Sequence, residues 1–289
     1  MMRVTRKTQQ GFTLVELMVS ILISTIMIGV AMSQLLGSRT LFALHEADSR
    51  IEENARYALE ILSQNIRMAS YVDERDGDQI APKGQFFDGL CDATDFNPCT
   101  DNGTGTNSDH FAIWHNPAPG NEVTACGGIA LSGTIPTRYT VADLFYIAPD
   151  PTSGINSLRC RSYTITMVGV NRTATLIAGS DQTIIDGIIN MQVLYGLTDR
   201  TNVSSLPVSY VSADTVNALV EGGGQVKLKW SSIVSARVTI LVGTGFDDGA
   251  DQAAASRTYN ISDSPPLTFT DGNRRKIFSS TVAIDNANL

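Results

Sequence analysis

The stretch that decides the fold is Gly11–Leu36, GFTLVELMVSILISTIMIGVAMSQLL. In a chain of 289 residues with 17% charged residues, any 22 consecutive positions should carry about four charges. Leu17 to Ser38 carry none. As a helix, Phe12–Leu36 would run for roughly 37 Å, against a bilayer hydrocarbon core of about 30 Å. The ten residues before it, MMRVTRKTQQ, hold Arg3, Arg6 and Lys7 and no acid. Basic residues on the N-terminal flank place residues 1–10 in the cytoplasm and everything after residue 36 outside it. One residue does not fit a plain anchor. Glu16 lies inside the apolar run, where a carboxylate is costly unless paired or neutralised. A cut after Gly11 would create an α-amino group on Phe12, one helical turn from Glu16, so the two charges would compensate within a chain or between neighbours. The alternatives are a secretory signal peptide cut after Ala31-Met32-Ser33, whose hydrophobic region Glu16 would interrupt, and an uncut anchor.

Outward from this stretch, the helical pattern continues. Leu41, Leu44, Ile51, Ala55, Ala58, Leu62, Ile66 and Ala69 recur at spacings of three, four or seven, and no Gly or Pro interrupts Thr40–Ser70. This predicts an amphipathic half, residues 37–71, with a core-facing stripe and a charged opposite face including Glu46, Arg50, Glu53 and Arg56. Gly29 and Gly37 are the points where one long helix would bend.

Residues 72–134 read as a loop-rich insertion, crowded with Asp, Gly, Asn, Thr and Pro; His110–His115 is its one short strand candidate. From about residue 135 the texture is β. Strands are expected over Tyr139–Ile147, Leu158–Val168, Thr173–Ile177, Thr183–Tyr195, Ile233–Val242 and Ile277–Ile284. In the fifth, Val234, Ala236, Val238, Ile240 and Val242 take alternate positions, the period of a half-buried strand. A long helix followed by many strands argues an α+β fold with a mostly antiparallel sheet.

The string Gly11-Phe12-Thr13-Leu14-Val15-Glu16-Leu17 resembles the cleavage and methylation motif of type IV prepilins. The resemblance implies a leader over residues 1–11, removal of that leader by a prepilin peptidase, methylation of the Phe12 amine, and a role for Glu16 in filament assembly. Further segments occur in the order found in the PilW family of minor pilins: Glu53–Leu59, Ile66–Tyr71, Gly187–Gly196, Trp230–Val238 and Arg274–Ile284. Gly222–Gly224 and the acidic loop near Asp247 depart from that pattern. The family implies the type IV pilin fold, in which a long helix with a membrane-spanning first half (12–36) packs on a β-rich head (135–289). It also implies a subunit that primes pilus assembly in an initiation or tip complex. The partners implied are other minor pilins, the major pilin, a tip adhesin and the inner membrane. A J-type pseudopilin of type II secretion and an anchored binding or adhesion module that never polymerises are the alternative readings.

The remaining chemistry is sparse. Cys91, Cys99, Cys126 and Cys160 would all lie in an oxidising periplasm, where an even count suggests two disulfides. Three pairings are open; sequence proximity favours Cys91–Cys99 with Cys126–Cys160. His45, His110 and His115 lack metal-site spacing and read as surface or strand histidines. Asp73, Glu74, Asp76 and Asp78 do not have the spacing of an EF-hand. No catalytic motif, phosphate loop or dinucleotide fingerprint occurs, so neither an enzyme, a cofactor nor a bound metal is expected. The net charge of −8 argues against a general nucleic-acid surface.

Overall fold

In the computed structural model of the chain, the described residues are 11–71, 86, 91, 96, 98–115, 126, 140–168, 171–198, 207–219, 230–244 and 255–285. The acidic turn at 73–78, Gly222–Gly224 and the loop around Asp247 lie outside them. The chain divides into two compact units, residues 1–46 and 47–289. Helix α1, Leu14–Met68, begins in the first and ends in the second.

The helix starts where its sequence provides a cap. The backbone N–H of Glu16 donates to Thr13 Oγ1 at 3.3 Å, and Leu17 N–H donates to the Thr13 carbonyl at 3.2 Å. Thr13 is thus the N-cap, and Glu16 stands in the first turn, where a carboxylate favours the exposed N–H groups. The helix ends at Met68, and in the turn that follows Ser70 takes a left-handed φ of 63° and donates its N–H to the Trp114 carbonyl at 2.9 Å. That contact ties the end of α1 to the head.

The head is built on two antiparallel sheets. One has β1 (Phe111–His115), β2 (Thr140–Pro149), β3 (Asn156–Val168) and β4 (Asn171–Leu176) in order, with β5 (Gln182–Asp186) also pairing β3. The other runs β11 (Arg275–Ala283), β8 (Ile233–Gly243), β6 (Ile188–Leu197), β7 (Ser209–Val211). A two-stranded ribbon, β9 (Ala255–Tyr259) with β10 (Leu267–Asp271), and a short helix α2 (Ala213–Ala218) complete it.

Alternation along β8 sends Ala236, Val238, Ile240 and Val242 to one face. They share a core with Met191, Val193 and Tyr195 of β6 and with Ile51, Ala55, Ala58, Leu62, Ile66 and Ala69 of α1. The predicted stripe is therefore a core face from Ile51 onward; Leu41 is exposed. A second, smaller core gathers Ala112, Trp114, Ala142, Leu144, Tyr146 and Tyr163 around Cys91 and Cys99. β1 is buried throughout because its two faces supply both cores. The strand candidate inside the loop-rich segment thus pairs into the head's sheet.

Three differences from the sequence reading have physical causes. The expected strand Thr183–Tyr195 is two strands, β5 and β6. Between them Gly187 takes φ 85°, which L side chains rarely adopt, and a register shift follows between Ile188 and Asn190. The β9–β10 ribbon departs from that reading because Ala255–Tyr259 and Leu267–Asp271 are short, carry few apolar residues and bury none of them fully. α2 is only six residues long, too short to show a helical period, and is set by its cap: Thr215 N–H donates to Ser212 Oγ at 3.3 Å.

Candidate functional site

The first unit holds the residues singled out at the N-terminus. Phe12 is 83% exposed, and the large apolar side chains of residues 12–36 are more than half exposed. An uncovered apolar surface of this length calls for a solvent other than water. The polar side chains within it are already provided for. Ser20 Oγ donates to the Glu16 carbonyl at 2.7 Å, Ser24 Oγ to the Ser20 carbonyl at 2.7 Å, and Ser33 Oγ to the Val30 carbonyl at 2.8 Å. Thr25 Oγ1 reaches the Leu22 carbonyl at 2.8 Å. Each hydroxyl satisfies itself on its own helix, as a low-dielectric surrounding requires. Glu16 is different: among the described residues its carboxylate has no hydrogen-bond or ion-pair partner. α1 is long and apolar enough to cross a membrane. Gly11, Phe12 and Glu16 thus fall together: Gly11 and Phe12 just ahead of the cap, outside regular secondary structure, and Glu16 in the first turn.

In the head, Cys91 is joined to Cys99 and Cys126 to Cys160, leaving no free cysteine. The second bond sits in a polar nest that sequence reading missed. Asp143 of β2 is buried, accepts from Ser162 Oγ at 2.5 Å and from the Cys126 N–H at 3.4 Å. Ser162 Oγ also accepts from the Cys126 N–H at 3.2 Å. His115 Nδ1 lies 3.8 Å from Asp143 Oδ2. Burial raises the Asp143 pKa, and His115, Ser162 and Cys126 oppose that rise. The signal was present in the sequence: Asp143 is the one acid in the apolar strand TVADLFYIAP. Donor atoms of Cys126, Cys160 and Asp143 lie within 4.8 Å of one another. Two of them are the sulfurs of one disulfide, so there is no thiolate for a metal. The nest instead anchors the segment around Cys126 to the sheet.

A second polar cluster has the same structural character. Asp181 accepts from Arg159 Nη2 at 2.7 Å, Arg161 Nε at 2.9 Å and Tyr146 Oη at 2.6 Å. Burial alone would raise the Asp181 pKa, but these three donors bring it below the ordinary carboxylate range. His110 packs edge-on against Phe96 and lies 3.1 Å from the Pro98 carbonyl; His115 is the last residue of β1. Among the described residues the two histidines share no ligand set with a cysteine or a third histidine.

Comparison with known proteins adds two matches. Residues 6–32 match the prokaryotic N-terminal methylation motif, a span that contains Gly11, Phe12 and Glu16. Residues 144–286, covering β3 to β11 and most of β2, match type IV pilus-assembly protein W. No curated protein and no solved structure matches the chain. A methylation motif on an uncovered apolar helix and a PilW head built on that helix's continuation lie in one chain, which therefore belongs to the type IV prepilin superfamily as a PilW-type minor pilin.

Proposed function

We propose that this protein primes type IV pilus assembly as a minor subunit of an initiation or tip complex. The observation that carries the proposal is the coexistence of the methylation motif with a PilW-type head on one chain. In this reading a prepilin peptidase removes residues 1–11 and methylates the amine of Phe12. Residues 12–36 cross the inner membrane with the leader on the cytoplasmic side, and the head stands in the periplasm. The subunit then packs beside other minor pilins and the major pilin, with a tip adhesin as a further partner. It acts as a structural subunit, with no chemistry of its own.

The physical logic rests on Glu16. Burying a lone carboxylate among apolar helices costs a few kcal/mol. A methylated amine retains its positive charge, and placed within a few ångströms of that carboxylate it offsets the cost. A mature chain beginning at Phe12 is capped by Thr13 one residue later. The helix therefore starts at once, and the new amine stays close to the first turn.

Two measurements test this. Intact mass of the protein from its native membrane should correspond to a chain beginning at Phe12 and one methyl group heavier than the unmodified chain. A mass beginning at Met1 or Gln34 refutes the processing. Glu16→Lys should abolish its incorporation and lower surface piliation as strongly as deletion does. Normal piliation in the deletion strain, with the retraction motor present or absent, refutes priming.

A further inference from the structure

The head carries a cavity of about 520 Å³, lined by residues well separated in sequence from the N-terminal motif. Its volume is within the roughly 300–1,000 Å³ typical of small-molecule sites. Three glycines line it. Gly154, φ 71°, lies in the turn from β2 to β3, and a Cβ built on it would meet nothing within 4 Å. Gly187 and Gly243 come together so closely that Gly243 N–H donates to the Gly187 carbonyl at 2.9 Å. A Cβ on Gly187 would stand 2.6 Å from the Gly243 oxygen. On the other side of this backbone seam, a Cβ on Gly243 would stand 2.7 Å from Ile189 Cδ1.

The functional groups around it fall into two kinds. Ser153, Asn156 and Asn273 are neutral and hydrogen-bonding. Ile189 and Phe269 are apolar. Among the described residues Arg275 is the one charged residue lining the cavity, and its charge is already matched. Its Nη1 and Nη2 each reach one oxygen of Asp271, both at 2.7 Å, and its guanidinium lies 3.9 Å from the Phe269 ring centroid. Its side chain is 7% exposed, yet its Nε has no hydrogen-bond acceptor. A buried donor without a partner is uncommon and costly.

The chemistry selects a ligand class. With Arg275 neutralised by Asp271, an anion gains little net attraction. A carboxamide offers both donor and acceptor, and so does a hydroxyl. Two asparagines and a serine beside an aromatic ring suit a compact neutral molecule with a rim of hydroxyls and an apolar face. We propose that this cavity binds a neutral sugar unit, with Asn156 and Asn273 reading its hydroxyls and Phe269 facing its apolar side. It is a recognition site on the head, separate from the N-terminal assembly residues and independent of the priming role.

The test is saturation-transfer NMR on the full-length protein in a zwitterionic, sugar-free detergent. The probes are glucose, galactose, mannose and N-acetylglucosamine, with sialic acid as the anionic control. At least one neutral sugar should show transfer. Asn156→Ala combined with Asn273→Ala should weaken that sugar at least about tenfold, the loss expected when buried polar contacts go unmade. Ser153→Trp, placed on an exposed turn, should block the cavity without touching the core, and decides the matter if the double variant misfolds. Binding by none of the neutral sugars, binding by sialic acid alone, or transfer unchanged in Ser153→Trp overturns the proposal.

Discussion

Two stretches of α1 answer to different solvents. Around Ile23 the large apolar side chains are more than half exposed; around Ile66 the inward ones are fully buried against the sheets. Composition differs accordingly. Leu17–Ser38 is apolar all round and uncharged, whereas residues 46–67 restrict apolar residues to one stripe and carry Glu46, Arg50, Glu52, Glu53, Arg56, Glu60 and Arg67 elsewhere. A helix apolar all round needs an apolar surrounding on every side; a striped one needs a core on one side and water on the other. The largest effect follows from this contrast. Ile66→Asp puts an unpaired carboxylate into the main core and should unfold the head, a loss of several kcal/mol. Ile23→Asp should leave the head's thermal melt in detergent unchanged. Its effect should appear instead in membrane insertion, at about 2.5–3.5 kcal/mol, measured by carbonate extraction. Equal effects on the head melt would erase the distinction.

The head also responds to pH, because it buries titratable groups. Asp109 accepts from the Gly103 N–H at 2.8 Å and the Val193 N–H at 2.8 Å. Burial nonetheless pushes its pKa up to about 7, with Asp263 and Asp101 adding to the rise. The folded-state pKa lies above the unfolded value, so the folded head binds the proton first. Its destabilisation is full above about pH 7 and is relieved as pH falls toward about 4. Asp101 and Asp143, also raised, act with the same sign. His110, lowered by burial, opposes them as pH falls through the ordinary histidine range. Asp109→Asn removes this proton-binding group from the head. The wild-type melting temperature minus that of the variant should rise as pH drops from 8 to 5, by an amount on the order of a few kcal/mol in stability. A difference independent of pH refutes it.

What the sequence made legible follows the same division. Gly11–Leu36 is read through composition and one misplaced acid, signals that need no tertiary structure, and residues 6–32 match the methylation motif. The helix stripe was legible because a single buried face imposes a period; β8 was legible from its alternating apolar residues, although the strand is buried on both faces except at Arg237. The Gly187 break was not: its cause is a backbone close approach to Gly243, 56 positions away, which leaves no local pattern. Gly187→Ala should cost about 1–3 kcal/mol, from a left-handed φ and the contact with the Gly243 oxygen together. An unchanged melt would mean that the seam relaxes. The polar nest at Asp143 and the cavity beside Arg275 stayed hidden for the same reason. Each gathers residues from separate strands and turns, and only the register between those elements brings them together.

The smallest effect is the most discriminating, because one chemical change is made in both regions. Ser162→Ala removes the hydroxyl that donates to buried Asp143 at 2.5 Å and accepts from the Cys126 N–H. It leaves a carboxylate that cannot turn to water, so the head should lose about 1–3 kcal/mol. Ser24→Ala removes a hydroxyl that donates to the Ser20 carbonyl at 2.7 Å. That carbonyl remains within the helix's own hydrogen-bond ladder, so nothing is left unsatisfied. Alanine is the better helix former by a few tenths of a kcal/mol, and the net change should stay within about 0.5 kcal/mol. Helix content by circular dichroism and membrane retention should match the wild type. If Ser24→Ala instead impairs assembly while leaving retention intact, the Ser24 hydroxyl serves a neighbouring helix rather than its own, and the view of this face as internally satisfied falls.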